Sequence, residues 1–307
     1  MLIQPQMLLL KAREERYIIG AFNVFNMDFA ACVLEAAAAE QSPVILQISM
    51  GARKYQSDWR IFVKHVKELA QKQCIPAFLQ HDHCTSVENC MEAVDAGVMA
   101  VMFDGSHLPY EQNVKKTREV VAYAHARNVA VEAELGCLPG FEDMVFADKA
   151  VFTDAAQAKE FVFESGCDSL AVSVGTSHGG VVADEALPIA FDTLAAIARA
   201  LPGYPLVLHG AASLPNWSVD AVNVLGGRVP YLKNAAEKDI AACAGLGIAK
   251  ANMDVDNFLA YTAAVRGWLN EAPEQYDPRK YLLKANEALK TEVRRKMREV
   301  LQSSRRA

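Results

Sequence analysis

The sequence lacks the features that would place a chain of 307 residues in a membrane or an export pathway. Its apolar runs have the length of strands, which is too short to cross a bilayer. The brief apolar run Met7–Leu10 has no basic segment before it, so a signal peptide is not expected. With 52% hydrophobic residues, disorder is excluded as well. We therefore predict a cytoplasmic protein that makes no membrane contact.

Basic residues are also fewer than acidic ones. The chain has 31 Lys and Arg against 37 Asp and Glu, a net charge of −6, which argues against a general nucleic-acid binder. The exception is the C-terminal stretch from Arg279 to Arg306, where Lys and Arg dominate. This pattern predicts a solvated amphipathic helix, and a role at a subunit interface or near an anionic ligand remains open.

Two common cysteine and glycine patterns are missing. The seven cysteines are odd in number and form no C-x-x-C pair, which argues against a disulfide framework or a thiolate zinc site and favours reduced thiols. No G-x-G-x-x-G follows a predicted strand, so the dinucleotide-binding fingerprint is missing too.

What does recur is a short β-rich run followed by a helical stretch. This alternation predicts βαβ units and a parallel sheet, and eight units fit a (β/α)₈ TIM barrel. We predict one domain over residues 1–307, with a helical extension from about 279 to 307; two domains or a doubly wound sheet are the alternatives. The predicted strands are Ile18–Asn23, Val44–Ser49, Ala77–Gln80, Ala100–Asp104, Ala130–Glu134, Ser169–Val174, Leu206–His209 and Gly247–Asn252.

The residues at the ends of these strands are polar and can bind metals or donate hydrogen bonds. In a barrel they would meet at the C-terminal face, where barrel active sites lie. In order, they are Asn23, Ser49, Asp82 with His83, Asp104, Glu134, His178, His209, and Asn252 with Asp254.

Three of these strand ends carry a histidine. His83, His178 and His209 would form a catalytic zinc pattern with one coordination position open, although each alone could be a structural residue. Asp82 is well placed for proton transfer beside such a metal. Because neighbouring residues of a strand face opposite sides, Asp82 and His83 can share the site only if the chain leaves strand geometry there.

Glycine-bearing turns and acidic residues surround the predicted site. The turns at Gly175–Gly180 and His209–Ser213 would let backbone N–H groups approach an anion, unless they are ordinary βα turns. Glu132 and Glu134 fall on one face of their strand. Glu142 lies in a glycine-bearing stretch, predicted as a mobile loop over residues 136–144, and could act as a base or be a solvated acid.

Taken together, these residues resemble the class II, zinc-dependent fructose-bisphosphate and ketose-bisphosphate aldolases, nearly end to end. Gly226–Pro230 and Asp277–Tyr281 resemble the fructose branch more than the tagatose branch. The other motifs that carry the resemblance are Gly20–Val24, Gln47–Ala52, Asp82-His83, Val101–Ser106, Val131–Gly136, Gly175–Gly179, Pro205–Gly210 and Lys250–Asp254.

The resemblance implies a set of roles. His83, His178 and His209 would bind zinc, Asp82 would transfer a proton at the substrate C4 hydroxyl, and Glu142 would deprotonate the ketone donor. Asp104 and Glu134 would mark the position of a second cation, divalent or monovalent, or its hydrogen-bonded equivalent. A homo-oligomer, dimer or tetramer, is also expected. The implied contacts to the sugar phosphate or related ketose are Asn23, Ser49, Gly179, Gly210, Ser213, Asn252 and Asp254.

The sequence departs from the family pattern mainly around the expected donor phosphate. Ala212 and Val255 replace hydroxyl residues, and Val182 lies where a cation is usual. Fructose 1,6-bisphosphate is therefore the default substrate, and a different ketose or a donor without the C1 phosphate is the main alternative. A non-catalytic subunit of an aldolase complex and a barrel metalloenzyme of other chemistry, such as a hydrolase, are the remaining hypotheses.

Overall fold

The computed structural model describes residues 1–142, 145–147 and 150–307; of 141, 142 and 145–147 it describes the backbone alone. Eight parallel strands close into a barrel in the order β1-β2-β3-β4-β5-β8-β9-β10, which confirms the predicted (β/α)₈ fold. The strands are β1 Ile19–Asn23, β2 Val44–Ile48, β3 Ala77–Cys84, β4 Ala100–Phe103, β5 Ala130–Leu135, β6 Gly140–Glu142, β7 Val145–Ala147, β8 Ser169–Val172, β9 Leu206–Leu208 and β10 Ile248–Met253.

Helices surround the barrel and follow its strands. They are α1 Pro5–Glu15, α2 Met27–Glu40, α3 Met50–Tyr55, α4 Trp59–Gln71, α5 Val87–Ala96, α6 Tyr110–His125, α7 Ala155–Ser165, α8 Phe191–Ala200, α9 Asn216–Asn223, α10 Glu237–Ala242, α11 Val255–Glu271 and α12 Pro278–Arg295. Side chains cap several of them at the N-terminus; Asn26, for example, accepts from the Phe29 N–H at 2.8 Å. Across the described residues, no helix is both long and apolar enough to cross a membrane.

Strand periodicity divides the core into an outer and an inner layer. Ile18 and Phe22 pack outward against the helices, whereas Ile19 and Ala21 fill the barrel interior together with residues of α1. Because side chains alternate, Asn23 continues the inward series at the carboxyl end of β1. The polar strand ends therefore lie above an apolar plug, which fixes them at one face of the barrel.

Two local predictions need correction. The stretch 136–144 was expected to be a loop, but Gly140–Glu142 pairs antiparallel with Val145–Ala147 as a short hairpin. The C-terminal helix was expected from about 279 to 307. It begins at Pro278, continues as a π-helical turn over Lys296–Val300 and is not helical from Leu301 onward.

The C-terminal helix is also less solvated than its charge predicted. Ala285, Leu289 and Val293 are buried, and the last two pack among the core residues of the barrel's outer layer. Beyond it, the Leu301 carbonyl accepts from the Ile18 N–H at 2.9 Å, so the last residues are attached to the start of β1. The assignment of residues 1–307 to one domain stays a prediction.

Candidate metal centre and active site

The three predicted histidines meet at the carboxyl face of the barrel. Their ring centroids are 5.1 Å apart for His83 and His178, 4.7 Å for His83 and His209, and 6.1 Å for His178 and His209. One ring nitrogen of each lies within 4.8 Å of the others, and all three residues are buried. The barrel thus brings together three imidazoles from β3 and from the turns after β8 and β9.

The local backbone explains how Asp82 and His83 share this site. Their strand β3 extends to Cys84, four residues beyond the predicted end, but His83 has a φ of +45° and the pairing with β4 shifts between His81 and Cys84. The left-handed residue breaks the alternation of the strand, which is the departure from strand geometry that the sequence required.

The hydrogen-bonding state of the histidines fits a metal. Nε2 of His178 is buried and has no hydrogen-bond partner, and Nδ1 of His209 lies 3.3 Å from Glu134 Oε2. Buried polar atoms are rarely left unpaired, so the His178 nitrogen suits an ion bound among the three imidazoles. Burial and the neighbouring His83 and His209 hold the pKa of His178 well below its usual value, which keeps its imidazole in the neutral form that metals bind.

His209 is oriented by a buried ion pair that the sequence analysis missed. Its Nε2 lies 2.8 Å from Glu132 Oε1, and Lys250 Nζ donates to both oxygens of the same carboxylate at 2.8 Å. Burial opposes ionisation of Glu132, but Lys250 and His209 outweigh it and lower the pKa to about 2. The signal was a lysine within the apolar strand β10, since a fully buried lysine needs a charged partner.

A second carboxylate orients His83. Asp104 Oδ2 lies 2.9 Å from His83 Nδ1, and Asp104 Oδ1 accepts from the backbone N–H and the hydroxyl of Ser106. Against the effect of burial, these contacts hold the pKa of Asp104 below its usual range. Partners of this kind fix the orientation of metal-binding imidazoles.

The same region contains a further candidate cation group. Donor atoms of His83, Asp104 and Glu134 lie within 4.8 Å of one another. Burial, followed by the nearby Asp104, raises the pKa of Glu134, whose Oε2 lies 3.3 Å from His209 Nδ1. A cation here would neutralise two adjacent buried carboxyl groups.

Asp82 lies beside the histidines and is held by two side-chain amides that are hydrogen-bonded in series. Its Oδ2 lies 3.8 Å from His83 Nε2 and accepts from Asn252 Nδ2 at 3.0 Å. Gln47 Nε2 in turn donates to Asn252 Oδ1 at 3.2 Å. Oδ1 of Asp82 is buried without a partner, so a carboxylate oxygen remains available beside the histidines.

The hairpin that carries Glu142 is attached to the site at its base. The backbone N–H of His178 donates to Pro139 at 2.9 Å, and Gly140 pairs with His178. Gly140 has a φ of +106°, and a Cβ there would lie 2.1 Å from the His178 carbonyl oxygen. The Glu142 side chain lies outside the described residues, so its predicted role is untested.

The two glycine-bearing turns are joined by one amide that the sequence analysis did not identify. Asn234 Nδ2 donates to the carbonyls of Ser177 and Gly210, both at 2.8 Å, and its Oδ1 accepts from the Ser177 N–H. Gly210 has a φ of +60° and a Cβ there would lie 2.3 Å from the Ser177 oxygen, so this turn requires glycine.

A small cavity lies over His83 and His178, and most of the predicted substrate contacts border it. Ala212, one of the altered positions, is buried against it. Its lining residues are Asn23, His83, His178, Gly179, Gly210, Ala212, Asn252 and Asp254.

Two predicted contacts, Ser213 and Ser49, have other partners. The Ser213 N–H donates to Asp256 at 3.0 Å, and its hydroxyl bonds to Glu237, Asp256 and Lys296, in a network below the turn. The Ser49 hydroxyl accepts from the Ala52 N–H at 3.2 Å and caps α3, while Ser49 borders a second cavity.

Val182 and Val255 offer apolar side chains at the altered positions. Val182 is 89% exposed, and the Val255 N–H donates to Asp254 at the start of α11. Both side chains lack the hydroxyl or ammonium group that the family pattern has there.

Comparisons with a family model and with known proteins agree on one family. Residues 4–306 match the family model described as "Fructose-bisphosphate aldolase class-II". The chain is 43% identical over 299 residues to fructose-bisphosphate aldolase of Thermus caldophilus, covering 97% of each chain. It is 40% identical to the enzyme of that name from Treponema pallidum, covering 100% of this chain and 98% of the relative.

The fold agrees with these relationships. The crystal structure of the YdjI aldolase from Escherichia coli K12 superposes with a TM-score of 0.81 at 28% identity, and 99% of this chain and 98% of that one are covered. Family match, relatives and fold all cover nearly the whole chain. The chain therefore belongs to the class II fructose-bisphosphate aldolase family, whose members are aldehyde-lyases that are generally zinc-dependent.

Proposed function

We propose that this chain holds zinc through His83, His178 and His209 and catalyses the reversible aldol cleavage of a ketose bisphosphate such as fructose 1,6-bisphosphate. The products would be dihydroxyacetone phosphate and an aldehyde. The observation that carries the proposal is the buried trio, whose ring nitrogens lie within 4.8 Å of one another and include the unpaired Nε2 of His178. Zinc, when bound, supplies a Lewis acid that stabilises negative charge on the substrate carbonyl.

The protein's own groups would move the protons. Asp82, with one unpaired oxygen, would accept or return the proton of the C4 hydroxyl as the bond between C3 and C4 breaks or forms. Glu142 would remove the proton from the ketone donor, and its hairpin is attached to His178 at Gly140. Asn252 would hold Asp82 in place through the 3.0 Å bond and contact the donor.

The remaining substrate contacts are assigned by position. Asn23, Gly179, Gly210, Asn252 and Asp254 border the cavity over the histidines and would bind the donor half. Ser49 would contact the aldehyde half. Ser213 would support the phosphate turn through its bonds to Asp256 and Lys296. Asp104 and Glu134 would hold a second, divalent or monovalent cation.

A second candidate substrate is a ketose whose donor half lacks the C1 phosphate, or a different ketose. The observation that favours it is the loss of hydrogen-bonding groups at Ala212, Val255 and Val182. A hydrogen bond to a charged group contributes about 1.5–3 kcal/mol, so these losses would weaken phosphate binding by several orders of magnitude.

One set of assays with the zinc-loaded chain separates these hypotheses. We expect about one zinc per chain and cleavage of fructose 1,6-bisphosphate, both lost in His178→Ala and retained in the control His65→Ala, since His65 is exposed on α4. Cleavage of an unphosphorylated-donor ketose alone would select the second candidate. A zinc-free, inactive wild type would refute the proposal.

The same assays address the hypotheses of other classes. Turnover by the chain alone would eliminate a non-catalytic subunit. Glu142→Gln separates an aldolase from a hydrolase, because only the aldolase would lose exchange of the donor proton with solvent deuterium. A hydrolase could use Asp82 alone as its base.

We further propose a homo-oligomer, dimer or tetramer, acting in the cytoplasm. The seven cysteines are free, which suits a reducing compartment. Large apolar side chains such as Tyr276 and Leu283 are exposed near α11 and α12, a pattern typical of subunit contacts. Light scattering of the purified chain would determine the mass.

A further inference from the structure

Lys233 differs from the other lysines near the site because its ammonium group forms no ion pair with any described residue. Its Nζ donates to the side-chain oxygen of Asn216 at 2.6 Å, which is a neutral partner. Lys250 and Lys296, by contrast, are each held by a buried carboxylate. A cation whose partner is neutral stays available to an anion, which would form the stronger hydrogen bond.

Lys233 lies beside the segment where the sequence departs from the family pattern. The Val181 N–H donates to the Lys233 carbonyl at 2.9 Å, and the Lys233 N–H donates to the Val181 carbonyl at 2.8 Å. Residues that exchange both bonds are directly opposite each other, and their side chains lie on the same face of the paired segments. Val182, where the family has a cation, is the next residue. The chain thus has a cation on the segment paired with this one.

The side chain of Lys233 extends between the two glycine-bearing turns of the candidate site. Its backbone is paired just after the turn that contains Gly179, and its ammonium group is bonded to Asn216, four residues after Ala212. Gly179 and Ala212 both border the small cavity of the site. A Cβ on Gly180 would lie 3.2 Å from the Lys233 carbonyl oxygen, so the first turn packs against this residue.

A phosphate in the small cavity would need a counter-charge from outside its lining. Among the described residues that border the cavity there is no Lys or Arg, and there is one acid, Asp254. Backbone N–H groups of the turns supply only partial charges, and a phosphate loses its hydration on entry. Because lysine has a flexible four-carbon stem with three donor hydrogens, Nζ of Lys233 can turn from Asn216 to a phosphate oxygen without backbone movement.

We propose, on the basis of the proposed function, that Lys233 binds the C1 phosphate of the ketose bisphosphate in place of the cation missing at Val182. It is a specificity-determining residue, which favours a phosphorylated donor over the same ketone without the phosphate. The phosphate is remote from the reacting carbon, so the bond is equally strong in the bound substrate and in the transition state. Its loss should therefore raise KM and leave kcat nearly unchanged.

The test is exchange of the donor proton with solvent deuterium by the zinc-loaded full chain, with dihydroxyacetone phosphate or dihydroxyacetone as donor. We expect the wild-type KM to be at least tenfold lower for the phosphorylated donor. Lys233→Met should raise that KM at least tenfold, keep kcat within about threefold and leave dihydroxyacetone exchange unchanged. Lys233→Arg keeps the charge and should keep KM within about threefold. Lys238→Met is the matched control, since Lys238 is exposed on α10.

A second variant moves the cation to the neighbouring segment. Val182 is 89% exposed, so Val182→Lys places an ammonium group there without disturbing the core. Added to Lys233→Met, it should return KM for dihydroxyacetone phosphate toward the wild-type value. A purely structural role of Lys233 would not be restored in this way.

Exchange of dihydroxyacetone needs no phosphate contact, so it separates the two proposals. If wild type exchanges both donors with equal KM, or Lys233→Met leaves KM for dihydroxyacetone phosphate unchanged, the assignment of Lys233 is wrong and the aldolase stands. If wild type exchanges neither donor, both proposals fail. A loss of dihydroxyacetone exchange in Lys233→Met that Val182→Lys does not restore would also overturn the assignment. Should Lys233→Met not fold, Lys233→Gln should raise the same KM at least tenfold, and an unchanged value would overturn the assignment.

Discussion

Glu132 is the residue on which the orientation of His209 depends most directly. It touches the imidazole on one side and Lys250 on the other, within the closed interior of the barrel. Neither contact joins residues that are neighbours in the sequence. A hydrogen-bond partner on the far side of a ligand fixes which ring nitrogen is presented to the metal.

We expect Glu132→Gln to lower zinc affinity by about 10–100-fold, because the amide neither matches the charge of Lys250 nor holds the His209 ring as firmly. Competition with a fluorescent chelator measures this. Glu160→Gln, on the exposed face of α7, is the control and should bind zinc like the wild type. An unchanged affinity in Glu132→Gln would show that His209 is oriented by other contacts.

Individual site residues could be predicted from the sequence, but most of their contacts could not. The three histidines could be predicted because each ends a strand, and strand ends meet at one face. The buried Lys250 indicates only that a charged partner exists. Which partner it has, and the contacts of Asn234 and Ser213, could not be predicted, since they depend on the register between distant strands and turns. Ser213 shows the limit well: its position in the turn was foreseen, but its bond to Lys296 was not.

Among the elements, the hairpin formed by β6 and β7 is hydrogen-bonded directly to the site. It meets the His178 backbone at Gly140, where no side chain can be accommodated. The hairpin was predicted as a loop because its strands have three residues each, too few to show a period of two.

We expect Gly140→Ala to lower kcat at least tenfold, because the added methyl group collides with the His178 carbonyl and displaces both the histidine and the hairpin. Gly203→Ala is the matched control: Gly203 also has a positive φ, but a Cβ there meets nothing within 4 Å. Both variants carry the backbone strain of alanine at positive φ, so similar losses of thermal stability are expected, and only Gly140→Ala should lose activity. Equal kcat in the two would contradict the expectation.

A second element-level feature connects α10 to the end of α12. Glu237 accepts from Arg295 and Lys296, and although burial opposes this, the two cations lower its pKa to about 2. An unfolded glutamate titrates near pH 4.3. The folded pKa is thus depressed, so the stabilisation is fully present above the unfolded pKa and is lost as pH falls through the folded one.

The free energy of unfolding should therefore decrease between about pH 5 and pH 2, with Glu237 contributing about 1–2 kcal/mol because solvent screens this half-buried ion pair. Urea unfolding across this range is the measurement, and Glu237→Gln should show a shallower decrease than the wild type. Glu299→Gln, which removes a more exposed partner of Arg295 at 3.6 Å, should follow the wild-type curve. If the Glu237→Gln curve runs parallel to the wild-type curve, the ion pairs do not carry this effect.

At the scale of the whole molecule, the C-terminal residues tie the ends of the chain together. Leu301 is fully buried and its Cδ1 lies against Gly20 of β1, while the Arg305 N–H donates to the Glu40 carbonyl at 2.8 Å. These contacts hold the residues after α12 against β1 and α2, the first βα unit of the barrel.

We expect Leu301→Ala to lower the free energy of unfolding by about 2–5 kcal/mol through the lost apolar burial and the cavity that remains. Calorimetry would show a Tm several degrees below the wild type. Leu10→Ala, at a side chain 48% exposed on α1, serves as control and should change Tm little. Similar Tm values for the two variants would mean that this segment does not stabilise the barrel.

The global architecture was predictable for a physical reason. Strand and helix alternate at spacings that only a parallel sheet with covering helices accommodates, and eight units close on themselves. The altered donor turn and the ring contacts of Phe25 show what this leaves undetermined. Ala212 could be noted from the sequence, but that Phe25 packs with Tyr55 and Phe258 follows only from the closure of β1 beside β10.

Asn234 ties the turn before His178 to the turn after His209 through bonds that run from protein to protein. The two imidazoles are therefore in place before any ion arrives, and little chain ordering accompanies its entry. Uptake of the ion by the apoprotein should then be limited by the loss of the ion's own hydration shell. Stopped-flow mixing should show a rate that follows the water-exchange rate of the metal supplied, with far-ultraviolet circular dichroism unchanged.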